Sequence, residues 1–203
     1  MARSDAPFGF RLARRQDNVG SPSQNPYYVD SSDTTPLFIG DPVVLDGGAS
    51  SEVTVVGGGK FPAGTLAGVT RATAGAGSGM IGVVVGVAAA TQESTVYRAA
   101  STERVVYVCD DPNALWEVQA DDAVAAASVG LNTQILFTHS GSTVTGISGA
   151  EVDATVTADT GGTAQCQVVG VLNRGDVTVN TAGNILVVRF NLHQRTGTGA
   201  VGV

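Results

Sequence analysis

From Leu37 onward the chain runs in short apolar, β-branched stretches broken by turn residues. Leu37-Phe38-Ile39 meets Gly40-Asp41-Pro42, Val43-Val44-Leu45 ends at Asp46-Gly47-Gly48, and Val53 to Val56 ends at Gly57-Gly58-Gly59. Each such run predicts a strand, because β-branched and aromatic residues fit a pleated surface while Gly, Asp, Asn and Pro supply turn backbone. Leu66 to Thr73, Gln134 to Phe137, Glu151 to Thr157, Gln165 to Leu172 and Asn184 to Leu192 follow the same rule. Met80 to Val87 is almost wholly apolar and predicts a strand buried on both faces. Only Ala123 to Ser128 reads as a short helix.

Residues 104 to 122 organise the rest. Val106 to Cys109 is a strand, Asp110-Asp111-Pro112-Asn113 a tight acidic turn, and Leu115, Trp116 and Val118 a second strand, so the unit reads as a structural hairpin. It carries the chain's single tryptophan. A lone large aromatic in an aromatic-poor chain belongs in a core, and Trp116, Val106, Val108, Val84 and Val188 are the expected core residues.

Roughly ten short strands with turns every eight to twelve residues predict an all-β fold, a jelly-roll-like sandwich or barrel with an extended N-terminal arm. Periodic helical segments, which a bundle or a doubly wound sheet needs, are lacking. Residues 1–36 differ from the rest: Pro7, Gly9, Gly20, Pro22, Pro26 and Pro36 interrupt any periodicity, yet Phe8, Phe10, Leu12, Tyr27 and Tyr28 are more apolar than a solvating tail requires. This stretch is expected to be an extended arm that orders on another surface, the alternative being that it folds back over its own domain. The β-body would then span 37–194, and the glycine-rich residues 195–203 would form a mobile tail.

Charge adds an asymmetry. The net charge is −7, against general nucleic-acid binding, yet Arg3, Arg11, Arg14 and Arg15 crowd the first fifteen residues. Lys60 is the only lysine, and arginine's planar fork suits carboxylates at protein interfaces. Arg3, Phe8, Phe10, Arg11, Arg14, Arg15, Tyr27 and Tyr28 are therefore the candidate partner-contact residues. Cys109 and Cys166 sit in apolar strands and read as buried free thiols, in keeping with a reducing compartment. The opening residues do not form a signal peptide, and no apolar run is long enough to span a bilayer.

Catalytic and metal patterns find little support. His139 and His193 are the only possible histidine bases, and Gly146-Ile147-Ser148-Gly149-Ala150 lacks the last glycine of a nucleophile elbow. Two separated histidines and two separated cysteines match no zinc spacing, and Asp110-Asp111 with Asp121-Asp122 read as turn and cap residues rather than calcium ligands. Gly57-Gly-Gly-Lys60 has Thr54 and Phe61 where a phosphate loop needs Gly and Ser or Thr. Asn173-Arg174-Gly175-Asp176 contains an adhesion-type tripeptide that a hairpin turn also explains. No cofactor or metal site is expected.

Five segments occur in a telling order: Pro7-Phe-Gly-Phe-Arg-Leu-Ala-Arg-Arg15, Ile39-Gly-Asp-Pro-Val-Val-Leu45, Ile81-Gly-Val-Val-Val-Gly86, Asp110-Asp-Pro-Asn-Ala-Leu-Trp-Glu-Val-Gln119 and Asn184-Ile-Leu-Val-Val-Arg-Phe-Asn-Leu-His-Gln194. In their order and spacing they resemble the small virion structural proteins of tailed bacteriophages that serve as head decoration or cement proteins. The resemblance implies a non-enzymatic protein, made in the host cytoplasm and carried on the outer surface of the phage capsid. Its partners would be the major capsid protein and itself, as a homodimer or homotrimer, with no nucleic acid and no membrane. A virion carbohydrate- or receptor-binding module is the alternative, for which Tyr27, Tyr28, Tyr97 and Trp116 are the candidate stacking surfaces.

Overall fold

The computed structural model describes residues 5–57, 59–75, 77–155, 162–172 and 179–196. Arg3, the Arg174-Gly175-Asp176 tripeptide and the chain from 197 onward lie outside the described residues. Fourteen strands are found among the described residues. They are β1 (Arg11–Arg15), β2 (Gln24–Val29), β3 (Pro42–Ala49), β4 (Val53–Val55), β5 (Gly59–Phe61), β6 (Ala67–Arg71) and β7 (Gly82–Val87), then β8 (Arg104–Cys109), β9 (Ala114–Gln119), β10 (Asn132–Thr133), β11 (Ile135–Leu136), β12 (Glu151–Val152), β13 (Cys166–Val171) and β14 (Ile185–Phe190). The helix expected at 123–128 is a single 3-10 turn over Ala126–Ser128. No helix among the described residues is long and apolar enough to cross a membrane.

The protein is all-β. Five strands close a barrel in the order β2-β6-β3-β7-β8, and five more form a sheet in the order β1-β9-β14-β13-β10. Tyr27, Val29, Leu37, Val43, Val69, Ile81, Val84, Val106 and Val108 fill the barrel. A second core lies between barrel and sheet: Val83 and Cys109 from barrel strands meet Trp116, Val118, Leu186, Val188, Cys166 and Phe190 from the sheet. A third, smaller cluster of Tyr28, Val53, Leu66, Ala88 and Val105 seats the β4–β5 hairpin on the barrel wall. β7 explains its unbroken apolar run, because Val84 faces the lumen and Val83 the sheet. Gly82 lets it lie against β8, since a Cβ there would collide with the Cys109 carbonyl oxygen.

Trp116, Val106, Val108, Val84 and Val188 are all buried. Trp116 stacks on Phe190 with ring centroids 5.8 Å apart, and Phe10 packs on the same ring at 5.7 Å. Both cysteines are free and buried, and burial pushes the Cys109 thiol up to about 11.

Two expectations require correction. The first is the arm. β1 is the edge strand of the sheet, paired with β9, and β2 is a barrel stave paired along its whole length with β8, so residues 11–29 belong to the body. Phe10, Tyr27 and Tyr28 are 2 to 3% exposed and serve as core rather than contact residues. Residues 1–36 are therefore not a separable segment, and deleting them would open the barrel. Nor does a mobile tail begin at 195, because Arg195 binds the buried Asp110 at 2.8 Å.

The second correction concerns the hairpin. β8 pairs with β2 and β7, whereas β9 pairs with β1 and β14. Residues 110–113 thus carry the chain from barrel to sheet instead of folding one strand onto the other. β8 has neighbours on both edges already, which leaves β9 no ladder to join. Asp110 fixes the departure point: its carboxylate accepts hydrogen bonds from Ser23 Oγ (2.7 Å), Asn25 Nδ2 (3.0 Å) and Tyr27 OH (2.7 Å). Burial works to raise its pKa, but these donors and the Arg195 guanidinium outweigh it and hold the carboxyl below the ordinary range.

Candidate functional site

The partner-contact residues expected from sequence divide in the folded chain. Arg11 and Arg14 are exposed and Phe8 is half-buried, while Arg15 is tied to Asp17 at 2.8 Å and to Asp111 at 3.1 Å. The two exposed arginines owe their arrangement to a register shift in β1. In a regular strand, residues three apart point to opposite faces. Here Arg11 lies opposite Glu117, Leu12 opposite Trp116, and Arg14 opposite Leu115, with the shift falling between Leu12 and Arg14. Arg11 and Arg14 therefore share the face away from Trp116, while Leu12 turns in toward the core. Because β1 is an edge strand, this pair stands at the rim of the sheet.

Beside the rim runs a groove. Phe8, Arg11 and Ile147 border two adjoining hollows, an apolar one of about 160 Å³ floored by Ile39, Val84 and Val85, and a more open one of about 440 Å³ reaching His139 and Ser142. The Arg11 guanidinium lies 4.8 Å from the Phe8 ring centroid, so a cation and an aromatic face are offered together. Gly9 makes the crossing possible: its φ is +69°, and a Cβ there would come within 2.6 Å of Ser148 Cβ.

The far wall of the groove hangs on Asp41. Its carboxylate accepts from Ser148 Oγ at 2.5 Å and Phe38 N–H at 2.8 Å, while backbone bonds join Ile39 to Gly146 and Ser148. Burial raises the Asp41 pKa to about 6, against the lowering effects of these two donors and of Arg71. An unfolded aspartate releases its proton near 3.8, so between that pH and 6 the folded state holds a proton that the unfolded state lacks. Stability contributed by this group is therefore present at acid pH and falls as pH rises through the window. Asp41→Asn should remove that slope. The difference in unfolding free energy between wild type and variant should drift by on the order of 3 kcal/mol from about pH 4 to about pH 7. A constant difference in denaturant titrations across that range would refute it.

Neither histidine, among the described residues, hydrogen-bonds a serine or cysteine. His193 is buried, its Nδ1 accepts from the Arg195 N–H at 3.2 Å, and burial lowers its pKa. His139 instead lies between two acids, with Nδ1 2.9 Å from Glu151 Oε2 and Nε2 3.5 Å from Asp5 Oδ2. The Glu151 contact holds its pKa above the ordinary value. Asp110-Asp111 and Asp121-Asp122 do not converge: Asp110 is saturated as described, while Asp121 and Asp122 accept from the N–H groups of Ala154 and Ala123.

No family model, curated protein or solved structure matches the chain. What the site can do must therefore be read from its own chemistry. Among the aromatics considered for sugar stacking, Tyr27, Tyr28 and Trp116 are buried, and Tyr97 stacks on Phe38 with centroids 4.9 Å apart. The sequence missed the Ile147 wall and the Asp5–His139–Glu151 group because both join residues far apart in the chain. The local signal that did point to the rim was the clustering of Arg11 and Arg14 with Phe8.

Proposed function

We propose that the protein is a non-enzymatic capsid decoration or cement protein of a tailed-bacteriophage head, which binds the assembled shell and stabilises it. The observation that carries this reading is the Arg11–Arg14 rim beside the Phe8–Ile147 groove, a cationic and apolar face in a chain of net charge −7. It is supported by the order of sequence segments shared in kind with such proteins. An acidic surface on the major capsid protein would meet the arginine forks, and the groove would take an apolar side chain at the centre of the contact. The face is held by strand pairing rather than by a floppy segment, so little ordering entropy opposes docking. As a homodimer or homotrimer on a symmetry axis, the protein would engage several shell subunits at once, multiplying modest single-site affinities.

The test is uptake by heads that lack the protein. Purified protein should co-sediment with such heads to a fixed stoichiometry and raise their resistance to heat. Arg11→Glu combined with Arg14→Glu should weaken uptake by about tenfold or more, with a loss that shrinks in high salt. Absence of uptake by wild type would refute the capsid role, and full uptake by the double variant would refute the rim as the contact.

A further inference from the structure

The geometry points to a divalent transition-metal site at Asp5 and His139, organised from behind by Gln119 and Glu151. The three potential ligand residues Asp5, His139 and Glu151 bring ligand atoms within 4.8 Å of one another. Their arrangement is directional. His139 Nδ1 contacts Glu151 Oε2 at 2.9 Å, and Glu151 is fully buried, further held by Thr138 Oγ1 at 2.6 Å. Asp5 Oδ1 accepts from Gln119 Nε2 at 2.8 Å, and Gln119 is 1% exposed. Each candidate ligand is thus gripped on its far side by a buried polar group, which is how metal-bound histidines and carboxylates are oriented and their tautomer set.

The near sides face each other. His139 Nε2 and Asp5 Oδ2 stand 3.5 Å apart, long for a good hydrogen bond. Two ligands bound at roughly 2.1 Å to one tetrahedral ion lie about 3.4 Å apart, so the gap is that of an ion's two ligands. A second observation agrees. Gln119 Oε1 is buried without a hydrogen-bond partner although its amide reaches both Asp5 Oδ1 and Glu151 Oε1. Gln119 Nε2, the donor end of that amide, is what reaches the two carboxylates, so both acids are held in place from the buried side. Imidazole nitrogen with carboxylate oxygen suits zinc or its neighbours better than calcium, which needs more oxygen ligands. The remaining positions open to solvent, because His139 and Asp5 are both exposed side chains at 45% and 59%.

The test is a calorimetric titration of chelator-treated full-length protein with Zn²⁺ near pH 8, where a proton competes least for the imidazole. One Zn²⁺ should bind per chain, and Co²⁺ should give a visible spectrum of nitrogen and oxygen ligands. His139→Ala and Asp5→Ala, both at exposed positions that leave the cores intact, should each weaken binding by at least about tenfold. Glu151→Gln should weaken it by about 10- to 100-fold while the protein stays folded by circular dichroism. Failure to see saturable binding up to about 1 mM Zn²⁺ would overturn the assignment. So would binding unchanged by both exposed substitutions, which would mark any zinc as adventitious. Neither result bears on uptake by heads, so this site and the capsid role stand or fall separately.

Discussion

Replacing Arg98 with methionine is expected to cost about 3 to 5 kcal/mol of folding stability, more than removal of any surface charge. Arg98 is fully buried, and its planar fork donates to three backbone carbonyls, Nε to Thr102 (2.7 Å), Nη1 to Thr35 (2.8 Å) and Nη2 to Asp30 (2.6 Å). The Asp33 carboxylate lies 3.9 Å from Nη1. The same residue forms a two-way backbone bridge with Leu37, whose side chain lies in the barrel lumen. One side chain therefore joins the segment after β2 to the segment before β8. Burial lowers its pKa, a sign of the desolvation that these contacts must offset. Methionine keeps the volume but leaves three carbonyls without donors, and lysine, a point donor on a flexible stem, cannot reach all three. Urea denaturation of Arg98→Met and Arg98→Lys measures the loss. A cost below about 1 kcal/mol for the methionine variant would show that solvent replaces the fork.

Trp116→Ala is expected to cost a similar 3 to 5 kcal/mol, from lost burial and the cavity left behind. The residue is 1% exposed and lies between Leu12 of β1 and Val188 of β14, with its ring on Phe190. The effect should extend beyond the core, since Leu12 holds the edge strand that carries Arg11 and Arg14. Trp116→Phe, which fills much of the space, should lose less stability and retain the rim. Denaturation midpoints for the two variants test this, and equal stability of Trp116→Ala and wild type would exclude Trp116 as a core element.

The class of the fold was legible because its signals are local. β7, β13 and β14 fall within the apolar runs that predict them, β8 and β9 overlap theirs and extend past them by one or two residues, and the β4–β5 hairpin turns where the glycine run begins. Pairing was not legible, because it depends on residues far apart. Asp110 to Asn113 has turn chemistry whether the next strand returns to β8 or departs for another sheet. Nothing in the turn encodes the grip of Ser23, Asn25 and Tyr27 on Asp110. Residues 24–29 carry no strand signal in the sequence because Pro26 interrupts the run. In the barrel β2 meets β6 at one pair only, Tyr28 with Gly68, so near Pro26 that edge carries no ladder and a missing N–H costs little. The same remoteness hid the site. Asp5, His139 and Glu151 have no shared motif, and the register shift that aligns Arg11 with Arg14 appears only once β9 is its neighbour.

The pairing of β1 with β9 and of β2 with β8 also sets a timetable for the nascent chain. β1 has no partner until residues 114–119 have left the ribosome, and β2, which meets β6 only at Tyr28 and Gly68, lacks its long ladder until residues 104–109 are made. Closure over such sequence separations is slow, and β-folds of this kind assemble in milliseconds to seconds rather than microseconds. During that interval Tyr27, Tyr28 and Val29 are largely unshielded, which makes the interrupting Pro26 useful as a guard against premature strand pairing.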